Sequence, residues 1–370
     1  MLFFGTWTLV WRALCLIDSV LKEMKCLDTF SGIGGMTRLL NVEYVSMVEI
    51  DPHAREILRK RYPGVPIHDD ICTLDPPPHD ILTGGFPCQD ISSAGKRKGL
   101  DGTKSILFFE MLRIIKRVHP RLVFLENVQN ITTMEEVMVA VVNSLCSEGY
   151  DITWCCLKAS NVGAPMCRRR WFCLGKKTRE PSNMTVDLPK KIDKSASVIN
   201  GIYSPQKMPI LPVNVQKIRL EPLKGNHGCR GNVLTHGVTK KHWATPRTHL
   251  SHACRNLTKR GCGDLGSMLR FAIDTPENQR HLKTPCIEWV EWLMGLPIGF
   301  TDLECETPVK HNGWVKEHPQ RLGPRTKAAA KRHFRLGNMC VPQMAKKAFE
   351  ILTERLSVDL PVDLSVDLPK

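Results

Sequence analysis

Apolar and polar positions alternate in blocks along the first half of the chain, and each block ends on small or charged residues. Residues 24–30 (MKCLDTF) form a short apolar run that stops at Ser31-Gly32-Ile33-Gly34-Gly35, and 36–40 continue in a helical pattern. The pattern predicts a strand over 44–50, ending in the acidic pair Glu49 and Asp51, and a helix over 53–61. A further run over 80–84 stops at Phe86-Pro87-Cys88-Gln89. A helix is expected over 105–118, and a strand over 121–125 leads into Glu126-Asn127-Val128. Strands alternating with helices predict a parallel, doubly wound α/β sheet. In such sheets a ligand lies beyond the carboxyl ends of the strands. Those ends carry the glycine turn, Glu49, Asp70, Pro87-Cys88 and Glu126, so five features converge on one crevice.

Past residue 176 the texture changes. Between Lys176 and Lys283 there are 20 Lys+Arg and 7 Asp+Glu, so most of the chain's +15 net charge falls in under a third of its 370 residues. This segment lacks regular periodicity and is broken by prolines, among them Pro181, Pro189, Pro205, Pro209, Pro212, Pro222 and Pro246. It reads as a loop-rich insertion or small domain facing a polyanion, nucleic acid being the usual one, or as a solvated irregular surface. Composition is otherwise that of a globular protein, 42% hydrophobic and 24% charged, with no run of some 18 apolar residues to span a membrane. Fifteen cysteines without CxxC pairs do not form a disulfide framework, and point to a reducing, intracellular compartment.

Taken alone, the glycine turn and the acid ending the next strand fit a nicotinamide cofactor and S-adenosylmethionine equally, and a plain tight turn as well. The third glycine of GxGxxG is absent, Thr37 standing in its place. Cys88, after a proline at a strand end, is either a buried structural thiol or a nucleophile. Glu126 at a neighbouring strand end could supply a partner acid, and Arg168 and Arg170 cations. It is their combination that favours chemistry.

In order and spacing, LDTFSGIGGM (27–36), GGFPCQDIS (84–92), LENV (125–128), APMCRRRWF (164–172) and RLGNMCVPQMA (335–345) resemble the signature blocks of the DNA cytosine-5 methyltransferases, phage and bacterial type. The resemblance runs from about Met24 to Leu352. It implies a Rossmann-like fold dependent on S-adenosylmethionine, with a small target-recognition domain, acting on a flipped-out cytosine in a specific double-stranded DNA sequence. It implies Cys88 as the nucleophile that adds to cytosine C6, Glu126 as the acid on the N3/N4 edge, Arg170 on the base carbonyl and Arg168 supporting the same loop. Cofactor contacts carry over to Phe30, Gly32, Gly34, Glu49 (ribose), Ile50 (adenine), Asp70 (its amino group), Pro87 and Asn338 (the methionine end). Ser92 matches a phosphate- or loop-contacting position. Duplex DNA is the implied partner, with a cognate restriction endonuclease as a further one, and family enzymes can act as monomers.

One departure stands out. The family usually has Gln before the first arginine of its Arg-x-Arg motif, where this chain has Met166 and then Cys167, so an amide supporting that loop is lost. The expected organisation is an N-terminal extension over 1–23, a catalytic and cofactor-binding domain over 24–178, a target-recognition domain over 179–320, a segment over 321–356 returning to the catalytic domain, and a mobile tail over 357–370. Within the basic segment Arg247, Arg255, Lys259 and Arg260 are the expected DNA contacts, divided between phosphates and base edges. His252, Cys254 and Cys262 fit no familiar zinc spacing, so no metal is expected. Two other readings stay open: a tRNA cytosine-5 methyltransferase on the same core, although Phe86 stands where those enzymes tend to have a second proline, and a catalytically weak DNA-binding homologue.

Overall fold

A computed structural model describes residues 21–87, 105–166, 168–181, 201–203, 283–314, 319–320, 322–324 and 326–356. The apolar runs become adjacent strands because each is hydrophobic on both sides and must be covered on both. Strand β1 (Lys25–Thr29) pairs in parallel with β2 (Glu43–Val48) on one side and β4 (Ile81–Gly84) on the other. β3 (Ile67–His68) extends the sheet past β2, and β5 (Leu122–Val128) extends it past β4, both parallel. The chain thus builds outward to β3, then crosses to the far side of β1. This reversal opens a crevice at the carboxyl ends of β1 and β4.

The parallel expectation holds through β5 and then fails. β6 (Tyr150–Lys158) and β7 (Arg169–Lys177) form an antiparallel pair, and β7 inserts between β5 and β6, antiparallel to both. The link between them, residues 159–168, is too short for a crossover, so the chain can only turn back. β8 (Gly201–Tyr203) closes the eight-stranded sheet in the order β3-β2-β1-β4-β5-β7-β6-β8. The consequence for the site is direct. Because β7 runs backwards, its first residues lie beside the last residues of β5, with Arg170 opposite Val128 and Phe172 opposite Glu126.

Helices cover both faces. On one side, helices α2 (Ser105–Val118) and α3 (Glu135–Ser147) place Met111, Ile114, Val141 and Leu145 against Leu27, Leu82, Val123 and Trp171. On the other side α1 (Pro52–Arg61), α4 (Ile287–Leu293), α5 (Lys327–Asn338) and α6 (Pro342–Arg355) pack on the alternate strand residues. Trp289, Val290 and Leu293 of α4 share that core with Phe124, Phe172 and Leu174. The turn after α4 is seized by α1: Arg61 donates to the carbonyls of Gly299, Phe300, Asp302 and Cys305 at 2.6–2.9 Å. β9 (Lys283–Pro285) and β10 (Leu322–Pro324) form a separate antiparallel ribbon.

Residues 36–40, expected as helical, are turns instead. Thr37 turns its hydroxyl to the buried Asp28, and Gly35 is pressed so closely on the 339–340 backbone that a Cβ would lie 2.5 Å from the Cys340 carbonyl oxygen. Among the described residues no helix is long and apolar enough to cross a membrane, and no three His, Cys, Asp or Glu side chains gather as a metal site.

Candidate active site

Three strand ends build the floor of the crevice. β1 ends in Thr29 and passes into Phe30, which holds a left-handed φ of 52°, and then into Gly32 at φ 57°. That turn is fixed from beneath. Asp28 is buried in β1, where it accepts from the Thr83 hydroxyl at 2.6 Å and from Thr37 at 3.4 Å, while its carbonyl accepts from Ser31 at 2.7 Å. Burial without a cation pushes the Asp28 carboxyl up to about 6. Tyr62 holds the turn from the side, its hydroxyl 3.1 Å from the Gly34 carbonyl.

At the end of β2, Glu49 accepts from the Gly32 amide at 2.7 Å and from the Asp51 amide at 2.8 Å. Both carboxylate oxygens are oriented, and burial raises the Glu49 pKa. Next to it Ile50 is 75% exposed, an apolar side chain held out at the rim. Backbone pairing of Glu49 with His68 brings the end of β3 alongside, where Asp70 accepts from the Cys72 amide at 2.9 Å. Phe30, Gly32, Gly34, Glu49, Ile50 and Asp70 therefore line one continuous edge.

The second half of the crevice is formed by β4, β5 and β7. Glu126 and Arg170 make an ion pair at 2.7 Å, each side chain about 85% covered. Gly85, in the turn after β4, approaches so closely that a Cβ there would lie 3.0 Å from Glu126 Oε2. Asn127 ties the two strand ends together, its amide donating to the Phe86 carbonyl at 3.1 Å. The half-buried Pro87 follows directly. Arg168 is 1% exposed and points the other way, donating to the carbonyls of Gly337 and Met339. Burial, with the neighbouring Arg170 guanidinium adding to it, pulls Arg168 down to about 9, so it is still charged at neutral pH. It clamps the α5–α6 turn, which presents the exposed Asn338. Met166, where the family usually has Gln, is fully buried in the core with Phe172 and Met339.

The fold thus gathers Glu126, Arg170, Arg168, the glycine turn, Glu49, Ile50, Asp70, Pro87 and Asn338 at one edge of the sheet. Cys88, Ser92, Arg247, Arg255, Lys259 and Arg260 lie outside the described residues, as do residues 1–20 and 357–370. Sequence reasoning gave no role to Asp28, Asn127, Asp51 or Arg335. The only signal for Asp28 was an acid inside an apolar run.

Comparison with known proteins follows the same blocks. The family model for C-5 cytosine-specific DNA methylase matches residues 24–256. Type II methyltransferase M1.ScrFI of Lactococcus lactis subsp. cremoris is 37% identical over 193 residues, 49% of this chain and 49% of that protein. Type II methyltransferase M.CviJI of Paramecium bursaria Chlorella virus IL3A is 33% identical over 173 residues, 45% and 47% of the two chains. The chain spans about half the length of the curated relatives it matches. Among solved structures, the S. pombe Dnmt2 methyltransferase superposes with a TM-score of 0.51 at 19% identity, covering 90% of this chain and 99% of that one. The Entamoeba histolytica methyltransferase EhMeth gives 0.51 at 14% identity, covering 90% and 99%. These two share the fold. With the family model covering well over half of its length, the chain belongs to the C-5 cytosine-specific DNA methylase family.

Proposed function

We propose that the protein transfers a methyl group from S-adenosylmethionine to C5 of cytosine in a specific duplex DNA sequence. The observation that carries this is the Glu126–Arg170 ion pair beside the turn that leads into Cys88. The cofactor edge fits its ligand in chemistry: an exposed apolar Ile50 for a flat base, a carboxylate at Glu49 with lone pairs left for ribose hydroxyls, and open space over Gly32. When bound, S-adenosylmethionine supplies an electrophilic methyl on a sulfonium.

Cytosine C5 is a poor nucleophile, so the Cys88 thiolate first adds to C6. Glu126 protonates N3 as the S–C6 bond forms, drawing electrons away from C6, and Arg170 holds Glu126 and the base carbonyl in place. C5, now enamine-like, takes the methyl group. Transfer of the C5 proton to solvent then expels Cys88 as a thiolate and restores the 5,6 double bond, while the N3 proton returns to Glu126. The target must leave the stack for this chemistry, at a cost of a few kcal/mol. Recognition is assigned to 179–320, with Arg247, Arg255, Lys259, Arg260 and Ser92 as DNA contacts, and the segment over 321–356 completes the cofactor edge. An intracellular location, action as a monomer and a cognate restriction endonuclease belong to the same reading.

The test is methyl transfer to unmethylated genomic DNA and, in parallel, to total tRNA, with bisulfite sequencing of both products. 5-Methylcytosine in one short DNA context is the expected result. Methylation of tRNA alone would replace the substrate. A duplex carrying 5-fluorocytosine should trap a covalent adduct that Cys88→Ala abolishes, and an adduct that survives that change would remove Cys88 from the mechanism.

A further inference from the structure

The acidic loop at the end of β2 is braced from two helices that are far apart in sequence. Arg55 of α1 donates to the carbonyls of Glu49 at 3.0 Å and Ile50 at 2.7 Å. From the opposite end of the chain, Arg335 of α5 pairs with the carboxylate of Asp51. Asp51 is the hub of this arrangement. One oxygen caps α1 by accepting from the Ala54 amide at 2.8 Å, the other takes Arg335, and its own amide donates to Glu49. Glu49 in turn accepts from Gly32, so an unbroken series runs from Arg335 through Asp51 and Glu49 to the glycine turn. The Arg335 side chain is 13% exposed and stacks on Phe334, its guanidinium carbon 4.6 Å from the ring centroid, which restricts it to this geometry.

We propose that Arg335 and Asp51 are positioning residues for the cofactor: their ion pair sets the Glu49 carboxylate and the Gly32 amide at the spacing that the ribose and the methionine end require. This rests on the proposed cofactor edge and adds to it the pair that holds it. Its members differ in what they should do. Glu49 touches the cofactor, whereas Arg335 and Asp51 reach it only through Glu49, so their loss should weaken cofactor binding and leave the methyl-transfer step itself less affected. A charge-assisted hydrogen bond in a partly buried site corresponds to about a tenfold change in affinity.

Titration of S-adenosylhomocysteine into the full chain, by calorimetry, tests this on Arg335→Gln, Asp51→Asn, the double variant and Arg335→Lys. Asn still caps a helix, so Asp51→Asn removes the ion pair while sparing α1. The expected result is a roughly tenfold rise in Kd for each single variant, no further rise in the double variant, partial recovery in Arg335→Lys, and a larger effect on KM for S-adenosylmethionine than on kcat. Wild-type Kd values in both single variants would overturn the proposal. So would additive losses in the double variant, or equal losses of duplex DNA affinity. A wild-type chain that binds no S-adenosylhomocysteine would overturn the cofactor reading and this pair with it; a binding wild type with unaffected variants would overturn the pair alone.

Discussion

Two carboxylates of the crevice are held in opposite ways, and their substitutions should be told apart accordingly. Glu126 has a guanidinium partner and a lone oxygen turned toward Gly85. On the proposed mechanism Glu126→Gln keeps the shape and removes the proton donor, so kcat should fall by roughly 10²–10⁴ while S-adenosylhomocysteine affinity stays near wild type. Single-turnover methylation measured beside calorimetry checks both halves. Asp28 is buried with hydroxyl donors alone and titrates near 6 in place of its usual 3.8. An acid whose folded pKa is raised binds its proton more tightly in the folded state. Its contribution to stability is therefore full below about pH 4 and is lost as pH rises through 6. The difference is about 3 kcal/mol across that window. Urea unfolding at pH 4.5 and 7 should show this slope in the wild type and a shallower one in Asp28→Asn; parallel slopes would remove Asp28 as its source.

At the scale of elements, the parallel half of the sheet is legible in the sequence because each strand is a short apolar run closed by glycine, proline or an acid. β1, β2, β4, β5, α1 and α2 fall where the pattern puts them, within a few residues. The β6–β7 pair does not announce itself. Its strands mix cysteines, aromatics and cations, and no tight hairpin turn separates them. The site divides in the same manner. Residues inside contiguous motifs, such as Glu126 and Arg170, are readable one block at a time. Asp28 depends on Thr83, 55 residues away, and Asp51 on Arg335, 284 residues away, distances at which sequence pattern carries no pairing signal. The docking of α1 on the 299–305 turn has the same character and can be measured. Arg61→Met strips one guanidinium from four carbonyls and should destabilise the fold by about 3 kcal/mol in urea, most of it from half-buried carbonyls left without a donor. A loss under 1 kcal/mol would mean that water replaces the arginine.

For the molecule as a whole, the governing quantity is charge. A net +15, concentrated between Lys176 and Lys283, sets the expected response of duplex binding to salt. With six or more phosphates neutralised, affinity should drop by about 10³ between 50 and 200 mM salt, and fluorescence anisotropy on a short duplex would read the slope. A flat dependence would make the basic segment a solvated surface. Another whole-chain property comes from the way α5 and α6 fold back over the glycine turn. During synthesis, at some 5–20 residues per second, β1, the turn and Glu49 leave the ribosome long before Arg335, Met339 and Cys340 exist. For that interval the nascent chain displays one uncovered face of its sheet and an unbraced acidic loop. Late helices are thus a timer: on the proposed cofactor edge, the methyl donor should find its site complete only after translation has passed α5 and the turn that follows it.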